Sequence, residues 1–159
     1  MRRRAQVALA AALAAGFVPG ARAGGPTVGA GTATISTSGS TTTINQTSPR
    51  GVYIWPSLNL PAGNTLQFNE PTSASIAINR VTSGAAIING SILSNGQVWI
   101  IDPAGVMFGR GSSVNVAGLI ATTSDIAGGD LNFVNGTGPV TFGTPTANAA
   151  AAIVNNGSI

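Results

Sequence analysis

The sequence predicts an all-β fold, a right-handed parallel β-helix, and three observations support this prediction. Short runs of β-branched and aromatic residues recur along the chain, with turn residues between them. After residue 23, no stretch keeps an apolar helical period over three turns. The composition is rich in Thr, Ser, Asn, Val and Ile, with 22 glycines and only 7% charged residues, which favours β structure with many turns.

The predicted strands are short, and Asn, Gly and Pro separate them. They are Val52–Trp55, Leu66–Phe68, Ile76–Val81, Ile87–Ile88, Val98–Ile101, Val114–Val116, Leu119–Ala121 and Leu131–Val134. Two all-β architectures fit this pattern. A sandwich would join alternating strands by two-residue hairpin turns, whereas a β-solenoid repeats short strands at the period of its turns, with Asn and Gly at the corners.

One internal repeat favours the solenoid. Residues 85–92, AAIINGSI, resemble residues 151–159, AAIVNNGSI, and Gly157 follows Gly90 by 67 residues. This separation predicts three turns of roughly 22 residues, a length typical of repeat architectures. The chain ends inside the second copy without a polar cap, which predicts an open C-terminal end and a piece of a longer β-helix.

The first 23 residues have the composition of a secretory signal peptide. Three arginines at positions 2–4 precede an apolar stretch over 5–18, and the small residues at 21–23 suit cleavage after Ala23. A membrane anchor is the alternative, but about 14 alanine-rich residues are fewer than the roughly 20 needed to span a bilayer. We therefore predict export by the general secretion machinery.

The segment after the signal peptide divides into two predicted parts. Residues 24–43 form a Gly/Thr/Ser-rich lead or cap, and residues 44–159 form the β-helical domain. The chain has no cysteine and no histidine, so the domain uses neither disulfides nor a Cys/His metal site. We expect its stability to come from packing and hydrogen bonds.

Charge and composition exclude several function classes. The whole chain carries a charge of +3, but four of its seven arginines lie within the first 22 residues, and the remainder has three arginines against four carboxylates. The resulting charge of −1 does not fit a nucleic-acid-binding protein. Ser-His-Asp and Cys-His catalysis are impossible without histidine. A β-helical lyase or hydrolase needs only carboxylates and arginine, but the four acids are dispersed. We predict no enzyme activity and no cofactor.

The most informative segment is residues 95–123, in which a strand, a tight turn and a second strand follow one another. Pro103 fixes its own φ and pushes Asp102 to an extended conformation, while Gly105 permits the positive φ that a tight turn needs. Apolar side chains on both sides of this turn are expected to fill the interior of a coil: Val98, Ile100, Val106 and Phe108.

This segment resembles the signature of the secretion domain of two-partner-secreted exoproteins, the family of filamentous haemagglutinin and related adhesins. In that family a strand is followed by Asn-Pro-Asn-Gly-Ile or -Val, then Phe-Gly, a small or basic residue and Gly. Here Asp102 and Ala104 replace the two asparagines. The aspartate keeps an acceptor that can close an Asx turn, whereas the alanine loses a side-chain hydrogen bond. The resemblance covers residues 43–126.

The resemblance implies a single-stranded, pectin-lyase-like β-helix that targets a large exported adhesin for secretion. In the periplasm of a Gram-negative bacterium, the periplasmic domains of a dedicated outer-membrane transporter would recognise it. The domain would then fold outside, at the cell surface or in the medium, and a downstream passenger would contact the host. The candidate transporter-recognition residues are Asn95, Gly96, Asp102, Pro103, Ala104, Gly105, Val106, Phe108, Gly109 and Gly111.

Several alternatives stay open at this point. The turn motif is either a solenoid corner only or a surface that the transporter reads. The chain is either a secretion domain, a host- or glycan-binding adhesin module in its own right, or the remnant of a decayed exoprotein gene. Four aromatic residues would form the sugar platform of an adhesin module or belong to the core: Tyr53, Trp55, Trp99 and Phe108.

Overall fold

Short strands wind around one apolar core, and each winding stacks on the one before it. The computed structural model describes residues 24–145 and 147–159, so the predicted signal peptide lies outside the described residues. The elements are β1 (Thr27–Ala30), β2 (Ala33–Ser38), β3 (Thr41–Gln46), β4 (Arg50–Trp55), β5 (Asn59–Leu60), β6 (Thr65–Asn69), β7 (Ile76–Val81), β8 (Ala86–Ile88), β9 (Ser91–Ser94), β10 (Gln97–Ile101), β11 (Val106–Phe108), β12 (Ser113–Asn115), β13 (Gly118–Thr122), α1 (Gly129–Asn135) and β14 (Ile153–Asn155).

Each winding contributes one strand to each of three sheets. Sheet A has the order β1-β4-β7-β10-β13, sheet B the order β12-β9-β6-β3-β2, and sheet C the order β14-β11-β8-β5. Pairs between successive windings are parallel, and three complete turns are β4 to β6, β7 to β9 and β10 to β12. The predicted all-β parallel β-helix is therefore confirmed. Within the described residues, no helix is long and apolar enough to cross a membrane.

In sheet B, apolar and polar side chains alternate along each strand, as expected for a sheet with one face in the core and one face in solvent. On β6, Leu66 and Phe68 lie in the core with 1% and 0% exposure, whereas the intervening Gln67 is half-buried. Successive side chains of a strand point to opposite faces, so every second residue enters the coil. The outer face of this sheet carries mainly hydroxyl and amide side chains.

Sheet A is largely apolar on both faces, and this explains the continuous apolar run of Val98–Ile101 in β10. On β10, Val98 and Ile100 belong to the core inside the coil, whereas Trp99 and Ile101 belong to a second cluster outside it. Strands buried on both faces lose the polar alternation. The residues after β13, 123–145 and 147–150, here called the excursion, leave the coil and cover this outer face.

The excursion is held on sheet A by packing and by two arginines. Phe133 of α1 is buried, and its ring centroid lies 6.3 Å from that of Trp99. Arg50 of β4 donates to the carbonyl of Phe133 at 3.1 Å, and its guanidinium lies 5.2 Å from the centre of the Phe133 ring. Arg80 of β7 bridges Asp125 and Asp130 at 2.7 and 2.8 Å.

The N-terminal lead forms two antiparallel edge strands. β1 pairs antiparallel with β4, and β2 pairs antiparallel with β3. These reversed strands end two of the three parallel ladders at the first winding. The boundary predicted after residue 43 falls inside β3.

Two predictions about local structure were wrong. The segment Leu131–Val134 is helical, within α1, because it leaves the stack after two glycines with positive φ, Gly128 and Gly129, and meets no strand edge. The repeat separated by 67 residues spans two windings and not three, because Ala86 pairs with Val106 and Val106 pairs with Ile153. The excursion supplies the additional residues.

We expect the excursion to depend on Phe133. Replacing Phe133 by Ala should cost about 3 kcal/mol, because the side chain is buried against an apolar sheet. The matched control is Leu131→Ala on the same helix, where the side chain is 72% exposed and the cost should be below about 0.5 kcal/mol. Urea unfolding followed by tryptophan emission measures both. Equal losses in the two variants would contradict the packing described for Phe133.

Candidate functional site

The carboxylate at the start of the turn motif joins two windings. Asp102 is 1% exposed, and its Oδ1 accepts the Ala104 N–H at 2.8 Å, which closes an Asx turn. Its Oδ2 accepts the N–H of Ala86, one winding earlier, at 2.7 Å. Burial raises the pKa of Asp102, although the two N–H bonds act in the opposite direction. The predicted acceptor role is present, and the side chain is enclosed by the fold.

Gly105 has the backbone conformation that the turn predicts. Its φ is +110°, a region that side-chain-bearing residues rarely adopt, and its N–H donates to the Asp102 carbonyl at 3.0 Å. A Cβ here would lie 2.6 Å from the carbonyl oxygen of Ala152 in the next winding. Pro103 is exposed and Ala104 is half-buried, so the outer side of the turn faces solvent.

In β11, the strand after the turn, inward and outward side chains alternate, and the strand is followed by a closely packed glycine. Val106 and Phe108 enter the core, each with 1% exposure, as predicted for the coil interior. Gly109 is buried directly against the amide side chain of Asn89 in the preceding winding, so no side chain fits there. Gly111 is exposed, and a Cβ would meet only the carbonyl oxygen of Asn89, at 3.3 Å.

The first two motif residues form a second corner, built around Glu70. Asn95 clamps the backbone of Glu70 on both sides. Its Oδ1 accepts the Glu70 N–H at 2.7 Å, and its Nδ2 donates to the Glu70 carbonyl at 2.7 Å. The Glu70 carboxylate lies against Gly96, where it occupies the space of a Cβ. The requirement for glycine at position 96 therefore comes from a neighbouring winding.

The motif residues thus lie at two corners of one winding and in the strands beside them. Those with buried side chains or backbone are Gly96, Asp102, Gly105, Val106, Phe108 and Gly109. Asn95, Pro103 and Gly111 are exposed. The sequence interpretation missed Glu70 and Asn89, which shape the glycine positions from earlier windings. No local pattern marks either residue, because their partners lie about 20 to 25 residues away, one winding along the chain.

The four aromatic residues considered as a sugar platform belong to the interior. Tyr53, Trp55, Trp99 and Phe108 are between 0% and 7% exposed. Three of them also use their polar atoms within the protein, and one of these is Trp99, whose Nε1 donates to Gln97 Oε1 at 3.4 Å. The Tyr53 hydroxyl donates to Gln46 Oε1 at 2.8 Å, and Trp55 Nε1 donates to Asn79 Oδ1 at 2.9 Å. The aromatic-platform interpretation is therefore wrong.

Comparisons with known proteins agree with this architecture. The family model of the TPS secretion domain matches residues 22–158. A heme/hemopexin-binding protein of Haemophilus influenzae is 40% identical over 103 residues, which are 64% of this chain and 11% of that protein. A second heme/hemopexin-binding protein of this species is 38% identical over 98 residues, 60% of this chain and 11% of that protein.

A solved structure shows the same fold. The HMW1 secretion domain from Haemophilus influenzae matches with a TM-score of 0.72 and 33% identity, over 84% of this chain and 35% of that one. The chain therefore spans 11% of the length of the curated relatives and 35% of this solved chain.

We expect Asp102→Ala to lower the free energy of unfolding by about 1–2 kcal/mol, since the Ala104 and Ala86 N–H groups lose this acceptor. Asp102→Asn is the comparison variant, because its amide oxygen can still accept the Ala104 N–H. Its NH2 group takes the place of the oxygen that faces the Ala86 N–H, which keeps the Gly105 carbonyl at 3.0 Å, so this variant should lose less stability than the Ala variant. Urea unfolding at constant pH gives both values. An Asn variant as unstable as the Ala variant would show that the turn does not depend on this acceptor.

A glycine pair tests the geometry of the same segment. Gly105→Ala should cost more than about 2 kcal/mol, because it combines a positive φ with a contact to Ala152. Gly111→Ala should cost less than about 1 kcal/mol, since its position is exposed and lacks a positive φ. Thermal unfolding by circular dichroism compares the two. Similar melting temperatures would contradict the strained turn.

Proposed function

The chain belongs to the family of the TPS secretion domain, which targets exoproteins of two-partner systems for secretion, and we propose that a dedicated outer-membrane transporter recognises it. In this proposal the chain directs a longer adhesin from the periplasm of a Gram-negative bacterium to the cell surface or the medium. The periplasmic domains of the transporter make the first contact. The family match over residues 22–158 is the single observation that carries the proposal.

The order of contacts in the coil supports folding during export. Side chains of later windings bind backbone groups of earlier ones: Asp102 accepts from Ala86, and Asn95 binds Glu70. Backbone pairing follows the same order, since each parallel strand adds to the strand of the preceding winding. A chain that emerges N-terminus first therefore meets a finished edge for every new strand. Folding outside can bias export in this way without a nucleotide.

We propose further that the transporter reads the motif segment before it folds. In the folded coil the side chains of Asp102, Val106 and Phe108 are at most 1% exposed, so a partner cannot contact them. In an extended chain all of these groups are accessible to a periplasmic domain. Recognition and corner formation then use the same residues at different times.

Other functions have weaker support. The two curated relatives are named heme/hemopexin-binding proteins, but this chain matches only 11% of each, and it has no histidine or cysteine, which are two common ligands of heme iron. Glu70 and Asp102 are buried at separate corners, and Asp125 and Asp130 both pair with Arg80, so no carboxylate pair is free for hydrolysis. Adhesion by a downstream passenger stays a proposal about the longer protein.

An export assay tests the proposed function. A reporter fused after Ile159 should appear outside cells that also produce the partner transporter, and should stay in the periplasm without that transporter. Removal of residues 24–159, with the leader retained, should abolish export of the reporter. Export that is independent of either component would overturn the proposal.

A stability-matched pair tests recognition of the unfolded segment. Asp102→Ala lies in the motif segment, whereas Ile92→Val removes a buried methyl group of β9 outside residues 95–123, at a cost of about 1 kcal/mol. Export of the Asp102 variant should fall several-fold, while the Ile92 variant should be exported like the wild type. An equal effect of both variants would assign the loss to stability and would contradict recognition of this segment.

A further inference from the structure

Glu70 is one of two buried carboxylates in this fold, and it differs from Asp102 because one of its oxygens has no hydrogen-bond partner. Its side chain is 6% exposed and lies at the corner between β6 and β7. Oε1 accepts the Ser94 hydroxyl at 2.7 Å, whereas Oε2 is buried without a hydrogen-bond partner. A buried carboxylate oxygen that lacks a partner destabilises the folded state when the group is charged.

The neighbours of Glu70 do not compensate its charge. The groups that face it from the adjoining elements are Tyr53 of β4, Ser94 of β9 and the Asn95-Gly96 corner. None of them is a cation. Among the described arginines, Arg50 and Arg80 are bound to the excursion. Burial, followed by the nearby Glu70 carboxylate, raises the pKa of Tyr53, so the phenol stays neutral.

We propose that Glu70 acts as a folding brake, a residue that lowers the stability of the coil at neutral pH so that the chain stays unfolded long enough to be exported. This inference rests on the proposed secretion function. Glu70 lies in the first complete turn, and Ser94, Asn95 and Gly96 of the next turn must close over it. A penalty at this point opposes completion of the second turn, on which later turns stack. A neutral residue of the same shape would remove the penalty.

The pH dependence follows from the same geometry. Burial raises the pKa of Glu70 from its ordinary value of 4.5 to about 7, against a smaller opposite effect of the Ser94 hydrogen bond. A folded-state pKa above the unfolded value means that the folded state binds the proton more tightly. The stabilisation is complete below pH 4.5 and is lost as the pH rises through about 7. The folding equilibrium constant should fall on the order of 100-fold across this window.

The first test uses the purified chain. At about pH 8, Glu70→Gln should have a higher urea midpoint than the wild type, and near pH 4.5 the two midpoints should converge. The control Asp125→Asn neutralises an exposed carboxylate paired with Arg80 and should bring no gain at about pH 8. Asp102 is present in all three proteins, so its own titration cancels. Equal midpoints of Glu70→Gln and the wild type at about pH 8 would overturn the proposal.

The second test measures export with the transporter. Glu70→Gln should be exported at least about two-fold less than the wild type, because the more stable chain folds before translocation. Asp125→Asn should be exported normally. If Glu70→Gln is stabilised but exported like the wild type, the brake is overturned while the secretion function stands. If the wild type is not exported by the transporter at all, the secretion function fails, and the first test still decides the stability effect.

Discussion

Parallel backbone pairing between successive windings is the interaction on which the rest of this structure depends. The N–H and C=O groups of each strand point along the axis of the coil, so every winding needs the one before it. All three sheets must keep their register together, since Gln97 pairs with Ile76 in sheet A while Ser91 pairs with Thr65 in sheet B. The corners must therefore keep the strands in register, and the chain must turn there without losing backbone hydrogen bonds.

The corners meet this demand with short polar side chains and glycines. Asp102 and Asn95 each bind backbone groups of an earlier winding, and so act across the stack as well as within a turn. The glycines beside them allow the close approach, since Gly96 and Gly109 each lie against a side chain of the preceding winding. The corner side chains therefore depend on the order in which the windings stack, and this order suits the proposed export of the chain from one end.

The excursion covers the most apolar outer surface of the coil, which is the outer face of sheet A. Sheet A presents Ile78 and Trp99 outward, and the helix α1 covers them after the last strand of that sheet. Arg50 and Arg80 extend from sheet A and bind the excursion, so two of the three arginines in the described part of the chain have a structural role. In an N-to-C order of emergence, the apolar face is complete before its cover arrives. Glu70 adds a second point at which the timing of folding matters.

The sequence by itself determined the fold class, most strands and the turn at Asp102 to Gly105, because these depend on local rules. Alternation, Pro103 and the positive φ of Gly105 act within a few residues. Only the tertiary structure decided the rest. The helix at Leu131 forms because it covers the apolar outer face of sheet A. The repeat at Gly157 is two windings away from its first copy because the excursion adds residues that do not follow the period. The carboxylate of Glu70 is buried because the corner at Asn95, one winding later, closes over it. These features arise from contacts between windings. Because the windings differ in length, the residues that touch have no fixed separation in the sequence, and no sequence pattern predicts which of them meet.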